Sequence, residues 1–388
     1  MKFRVPGYYK QFTCIADRCI DNCCFGGWQI DIDKETIDFY DTVQGDFGDR
    51  LKKYVDKEAG CFNLNNGQCP FLLKNNLCEI YKELGPEHMG LVCTQFPRFT
   101  EYYGNIKETG IGMACEEAAR IILNDSTPFI LEETDIDEEE IWGEYDSNLG
   151  QSLFILRDKI MSMLDDTSLS LSDKLCVILD KCDYLQNLIN NNNYNEIRKF
   201  CSDIDLIKDI KASSLKQDTS TSIIMSNDNS KPDNRVIKAI NMKIWWAYLD
   251  LEPLNSQWQE LSSNAYGYLY ENNDEVSCPS YDNNLLELYF TRLTKYYVYR
   301  YMLKASFDHN LTGKAQLIVS NLVIIKDLFI FKKERDSNQD DKKILMDIIH
   351  IFSREIEYSE DNISDLYDSF IFDDVFSCKT LTNAARRI

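Results

Sequence analysis

Histidine is scarce in this chain, with three in 388 residues (His88, His309 and His350). A zinc module completed by histidine is therefore short of donors, and no His-Glu-x2-His pair occurs. No run of 18 or more apolar residues appears, so no membrane span is expected. The segment Met1–Lys10 lacks an apolar core of the kind a signal peptide needs. The expected location is the cytoplasm, where thiols stay reduced and cysteine clusters mean metal or catalysis rather than disulfides. Nucleotide signatures are also missing: no Gly-x-Gly-x-x-Gly follows a strand, and there is no Gly-x4-Gly-Lys-Ser/Thr loop or Gly-x-Ser-x-Gly elbow. Gly110-Ile-Gly112 reads as a strand end. Positive charge is short, at 42 basic against 64 acidic side chains, a net −22. Residues 1–120 carry 14 basic and 18 acidic groups and the remainder 28 and 46, so a phosphate backbone is repelled and nucleic acid is not an expected partner. Such a surface suits a lysine-bearing partner, or simply high solubility.

Cysteine, by contrast, is abundant and unevenly placed. Nine of fourteen fall in the first 115 residues, at Cys14, Cys19, Cys23, Cys24, Cys61, Cys69, Cys78, Cys93 and Cys115. Thiolates at close spacing are ligands for zinc or iron–sulfur clusters. Cys19 and Cys23 have a gap that a zinc pair can use. The radical S-adenosylmethionine spacing Cys-x3-Cys-x2-Cys starts there and fails, because position 26 is Gly. Vicinal Cys23 and Cys24 diverge in extended backbone, so one is a ligand and the other a packing or second-site thiol. Reduced structural or redox thiols are the alternative. The five later cysteines read as buried hydrophobes. Arg98, just after Pro97, is placed to neutralise a thiolate cluster, to clamp a carboxylate, or to sit in a surface turn.

With 44% hydrophobic and 12% aromatic residues the chain can bury a substantial core. The expected fold is an α+β cysteine-rich metal-binding module over 1–125, followed by a mainly α-helical domain over 126–388. Within the module, Trp28–Ile32 alternates as a strand and Asp33 caps a helix. A second helix lies near Phe47–Val55. Turns at Asn65–Gly67 and Lys74–Asn76 suggest a hairpin joining Cys69 to Cys78, and Gly85-Pro86 ends a short helix. A second hairpin pairs Phe99–Tyr103 with Ile106–Met113, before a helix over Glu116–Leu123. Helical periodicity then marks Leu153–Leu164, Leu171–Leu188, Ile197–Ile207, Val236–Leu251, Leu285–Lys304, Gln316–Phe331, Lys343–Ile356 and Ile363–Phe370. Residues 213–235 read as a linker or mobile loop. The tyrosine-rich helix Leu285–Lys304 is either an aromatic core stripe or a wall for a cationic lysine.

The pattern Arg4-Val-Pro-x-Tyr-Tyr, Phe12-x-Cys14, Cys19-x3-Cys23-Cys24-x3-Trp28, Cys69-Pro-Phe, Cys78, Cys93-x2-Phe-Pro-Arg98 and Cys115-x-Glu-Ala-Ala-Arg resembles the flagellin lysine-N-methylase (FliB-type) family. That family overlaps a broader class of zinc- or iron-chelating proteins. The likeness is dense over residues 3–123 and thinner beyond, chiefly at Asn284–Tyr301. The resemblance implies methyl transfer from S-adenosylmethionine to lysine ε-amines of flagellin, with an iron–sulfur cluster of the 4Fe–4S type, zinc being the alternative. Cys14, Cys19, Cys23, Cys24, Cys69, Cys78, Cys93 and Cys115 match the family's cysteines, and Cys61 does not. Eight thiols exceed one four-ligand cluster, so some stand behind the ligands or a second metal is bound. Arg98 is the candidate cofactor-binding residue, and no catalytic base is assignable. The competing expectation is a non-enzymatic metal-binding or interaction protein whose thiolates only staple the fold.

Overall fold

The computed structural model describes residues 1–25, 27–125, 127–219, 234–254, 256–271 and 281–388, with the side chains of 213–219 and 234 outside that description. Its strands are β1 (Lys2–Pro6), β2 (Val55–Asp56), β3 (Cys61–Phe62), β4 (Arg98–Tyr103), β5 (Ile106–Ile111) and β6 (Leu131–Asp135). Four of them form a sheet in the order β4-β5-β1-β6, in which β1 runs parallel to β5 and antiparallel to β6. The hairpin β4–β5 is the one expected from the sequence. It turns at Gly104, whose φ of +65° favours glycine and whose missing Cβ leaves room for the Trp142 ring.

Lys2-Phe3-Arg4-Val5 of β1 alternates polar and apolar residues while Leu131–Asp135 of β6 does not, and neither is among the strands expected from the sequence. Their register is carried by charge. Lys2 lies opposite Asp135 and pairs with it at 2.9 Å, and Arg4 lies opposite Glu133 and pairs with it at 2.8 Å. Opposite charges facing each other across strands stabilise one register and penalise a slip. Because β6 lies beyond residue 125, the sheet crosses the expected module boundary.

Between β1 and β4 the chain folds around a small core of its own, formed by Ile30, Ile32, Tyr40, Leu51, Val55, Phe62, Cys69, Phe71 and Ile80. Asp33 caps the helix Lys34–Thr42 by accepting from the Thr36 amide at 2.9 Å. A second helix spans Gly45–Tyr54, and Gly85 with Pro86 stops the helix Glu79–Leu84. Trp28–Ile32 forms no strand: only Asp31 bridges to Cys61. The Cys69–Cys78 turn likewise closes through one antiparallel bridge, Leu72 to Cys78.

The rest is helical. The helices Leu171–Asn190, Asn283–Tyr301, Asp341–Glu357, Glu360–Phe372 and Cys378–Ala385 surround the long helix Leu311–Arg335. Leu317, Ile318, Val319, Leu322, Ile324, Ile325 and Leu328 on that helix are wholly buried, so it is covered on every side and serves as the axis of the body. The stretch Ile197–Ile207, expected as one helix, is two, Tyr194–Asp203 and Leu206–Thr219. Of the linker expected at 213–235, residues 213–219 and 234–235 belong to helices and 220–233 lie outside the described residues. The helices Ser256–Tyr266 and Cys378–Ala385 are not among those expected from the sequence. Among the described residues no helix is long and apolar enough to cross a membrane.

Candidate functional site

The thirteen described cysteines are all free thiols, and Cys278 lies outside the described residues. Five N-terminal ones converge on one edge of the small core. The Cys24 thiol interacts with Cys23 and Cys69, which raises Cys24 and draws Cys23 and Cys69 below the usual thiol range. Cys93 is pushed up to about 12 by burial, with the charges of Cys69, Cys23 and Cys78 adding to it. Burial also raises Cys78, helped by Cys69 and Cys23. Cys23 is the hinge to a second set. Cys115, raised to about 11 by burial, feels both Cys23 and Cys14. Cys19 donates to Glu116 Oε2 at 3.3 Å, and the same carboxylate accepts from the Ile20 amide at 2.9 Å. Glu116 therefore shapes the loop that carries Cys19 and Cys23. Cys61 stands apart, with Asp56 and Asp31 as its charged neighbours.

These thiols are soft donors held close enough to shift one another's pKa, the chemistry that a cation-binding thiolate set provides. The donor chemistry fits a thiolate metal centre. The spacing is not that of a closed ligand set: among the described residues, no group of three or more His, Cys, Asp or Glu stands arranged to hold a metal ion.

Arg98 is held by the aromatic side chains of the N-terminal segment. Its Nε donates to the Tyr9 hydroxyl at 3.1 Å, and its guanidinium lies over the Phe12 ring at 5.3 Å. A second arginine, Arg354, reaches the cysteine loop from the helix Asp341–Glu357. Arg354 Nη2 pairs with Asp21 Oδ2 at 2.7 Å, its guanidinium lies 5.6 Å from the centroid of Trp28, and its charge favours the Cys23 thiolate. His350, one turn earlier, reaches the same Asp21 oxygen at 3.0 Å. Tyr358, just past the helix end, stacks on Trp28 at 6.0 Å and donates to the Pro97 carbonyl at 3.0 Å. His350, Arg354 and Tyr358 recur at four-residue intervals, and that spacing of polar and aromatic side chains on one helical face is the sequence signal that could have found them.

The tyrosine-rich helix is core. Tyr289, Tyr296, Tyr297, Tyr299 and Tyr301 are all buried, so it offers no open wall to a ligand. It carries instead a closed polar centre. Tyr296 donates to Glu357 Oε2 at 2.7 Å, Arg300 Nη1 donates to Tyr296 Oη at 2.7 Å, and Arg300 Nε meets Glu357 at 3.3 Å. Two open hollows lie away from the thiols. One, of about 520 Å³, has Lys243, Trp246, Asp250, Phe372 and Asp373 on its rim. The other, of about 350 Å³, is lined by Arg4, Phe129, Glu133, Asp158, Met161 and Asp165, and burial pushes the Asp158 carboxyl up.

A thiol-rich module clamped to a helical body defines a protein with a candidate thiolate centre. Comparison with known proteins narrows the class. The FliB lysine N-methylase C-terminal domain matches residues 157–383, and the chain belongs to that family. The match falls on the helical body, where the motif-level likeness is thinner. The lysine-N-methylase of Salmonella typhimurium is 33% identical over 141 residues, which cover 34% of this chain and 35% of that protein. The flagellar biosynthetic protein FliU of Salmonella muenchen is 33% identical over 138 residues, covering 33% of this chain and 80% of that protein. The chain thus spans about a third of the length of the curated lysine-N-methylases it matches. No solved structure matches it.

Proposed function

We propose that the protein methylates lysine ε-amines of flagellin, taking the methyl group from S-adenosylmethionine. What supports this reading most is the family match over residues 157–383. The names of the relatives, lysine-N-methylase and flagellar biosynthetic protein, point the same way. In the reaction the neutral amine attacks the methyl carbon, the carbon–sulfur bond breaks and its electron pair stays on sulfur. A free lysine has a pKa near 10.4, so its ammonium must first give up a proton. The net charge of −22 favours encounter with a lysine-bearing protein.

Cys14, Cys19, Cys23, Cys24, Cys69, Cys78, Cys93 and Cys115 are the residues that would hold a metal centre, as a 4Fe–4S cluster or zinc. When bound, such a centre supplies cross-links that fix the loops of a module with a small apolar core. Within the chain, Glu116 orients the Cys19–Asp21 loop, and Trp28, Phe96 and Tyr358 seal its junction with the body. The reading places the protein in the cytoplasm, with no membrane or nucleic-acid partner.

A non-enzymatic role for the module is the second reading, favoured by the distance of both open hollows from the thiols. The deciding assay uses anaerobically purified protein, flagellin and S-adenosylmethionine carrying a labelled methyl group. Label on flagellin lysines is the expected result. Absence of both transfer and S-adenosylmethionine binding in metal-replete protein would overturn it.

A further inference from the structure

Among the described residues β6 pairs with β1 alone, so its other edge is open. In an antiparallel pair the main-chain bonds fall on alternate residues. Ile136 exchanges both of its bonds with Met1, and the Ile130 carbonyl accepts from the Gly7 amide at 3.0 Å. The alternation therefore turns the N–H and C=O groups of Leu131, Glu133 and Asp135 outward, along the free edge. An open edge of this kind is a template for one further strand. Its charge selects the occupant. From Glu132 to Glu140, seven of nine side chains are acidic and none is basic, which repels a phosphate chain or the same edge of a second copy and favours a basic segment.

The hollow of about 350 Å³ adjoins this edge, between Leu131 and Glu133 of β6 and the helix Ser147–Asp165. Asp158, Met161 and Asp165 recur there at three- and four-residue intervals, so one face of that helix forms the wall. This wall lies within the residues that match the family domain. The other charges of the hollow and the nearest buried ones are already engaged. Glu133 pairs with Arg4 and Lys2, Asp165 with Lys295, and Arg157 with Glu108. Asp158 is the exception: among the described residues it forms no hydrogen bond or ion pair, and it is accessible from solvent. Phe129 and Met161 add apolar surface beside it. Lysine carries its charge on a four-carbon stem, and so suits an apolar wall that ends in a carboxylate.

We infer that β6 and the adjoining hollow dock a lysine-bearing protein: an extended segment adds to the open edge, and one lysine lays its stem on Phe129 and Met161 with its ammonium at Asp158. This rests on the lysine-methylation reading and names the place that receives the substrate. Main-chain bonds to Leu131, Glu133 and Asp135 supply affinity without regard to sequence, and the hollow selects the lysine.

The test measures binding of monomeric flagellin to the full chain as wild type, Asp158→Asn, Asp135→Pro and Glu260→Gln. The same titrations are repeated with flagellin whose lysines have been acetylated. Asp158→Asn should weaken binding about 10–100-fold, the scale of a lost charge-assisted hydrogen bond, and the difference should vanish on acetylated flagellin. Asp135→Pro removes one outward N–H and should also weaken binding. Glu260→Gln, an equal loss of charge on the exposed side of the helix Ser256–Tyr266, should bind as wild type. Circular dichroism checks the fold of each variant, and Asp158→Asn carries the test if Asp135→Pro unfolds. Wild-type affinity in Asp158→Asn, or an equal loss on acetylated flagellin, would overturn the inference alone. So would self-association of the wild type that Asp135→Pro abolishes, since a second copy would then own the edge. Wild type that neither binds nor methylates flagellin would overturn the methylation reading and the inference with it.

Discussion

Arg157 and Glu108 form a two-pronged ion pair, at 2.6 and 2.8 Å, with side chains 1% and 4% exposed. The pair ties β5 to the helix Ser147–Asp165, and so fixes the sheet to the body. Breaking a buried pair leaves an uncompensated charge, at a typical cost of about 3–5 kcal/mol. Glu108→Gln should therefore lower unfolding free energy strongly in urea titrations. Glu108→Leu combined with Arg157→Met should recover much of the loss, and an equal loss in single and double variants would refute this account.

In the closed tyrosine centre, two neighbours on one helix should respond oppositely. Tyr296 supplies a donor to Glu357, whereas the buried Tyr297 hydroxyl has no partner. Tyr296→Phe should cost about 1–3 kcal/mol, because it removes a donor from a buried carboxylate. Tyr297→Phe should be neutral or stabilising. Chemical denaturation of both variants checks the order, and a costlier Tyr297→Phe would contradict it.

Asp327 accepts from Trp245 Nε1 at 2.8 Å and from the Tyr270 hydroxyl, yet burial raises its carboxyl to about 6. Because the folded pKa lies above the unfolded value, the folded state binds this proton more tightly. The stabilisation is fully present below the ordinary carboxylate range and is lost as pH rises through about 6. Wild type should thus gain stability relative to Asp327→Asn as pH falls from about 7 to about 4. A difference that stays flat across that range in pH-dependent melts would rule this out.

Serine replacements should separate the cysteines by place. Cys23→Ser or Cys69→Ser should lower metal content in anaerobic protein, since both thiols sit where Cys24 and Cys93 meet them. Cys182→Ser, in the wholly buried core of the helix Leu171–Asn190, should leave metal content unchanged while lowering stability. Elemental analysis and thermal melts read the two effects separately. Unchanged metal in both Cys23→Ser and Cys69→Ser would refute the site.

Local chemistry determined much that the sequence shows by itself. Asp33 as a cap, the stop at Gly85-Pro86, the β4–β5 hairpin and the helical periods of the body need only neighbouring residues, and they appear where the spacing puts them except at Ile197–Ile207, which is broken into two helices. The concentration of thiols in the first 115 residues is also a property of the sequence alone. Tertiary structure decided what depends on residues far apart in the chain. β1 and β6 pair through Lys2, Arg4, Glu133 and Asp135 across about 130 residues, a match that no alternation in β6 announces. Arg98 turns toward Tyr9 and Phe12, while Arg354, on a helix more than 300 residues from Asp21, reaches that residue in the cysteine loop. Periodicity can place a charge on a helical face; only the packing of that helix decides which charge it meets.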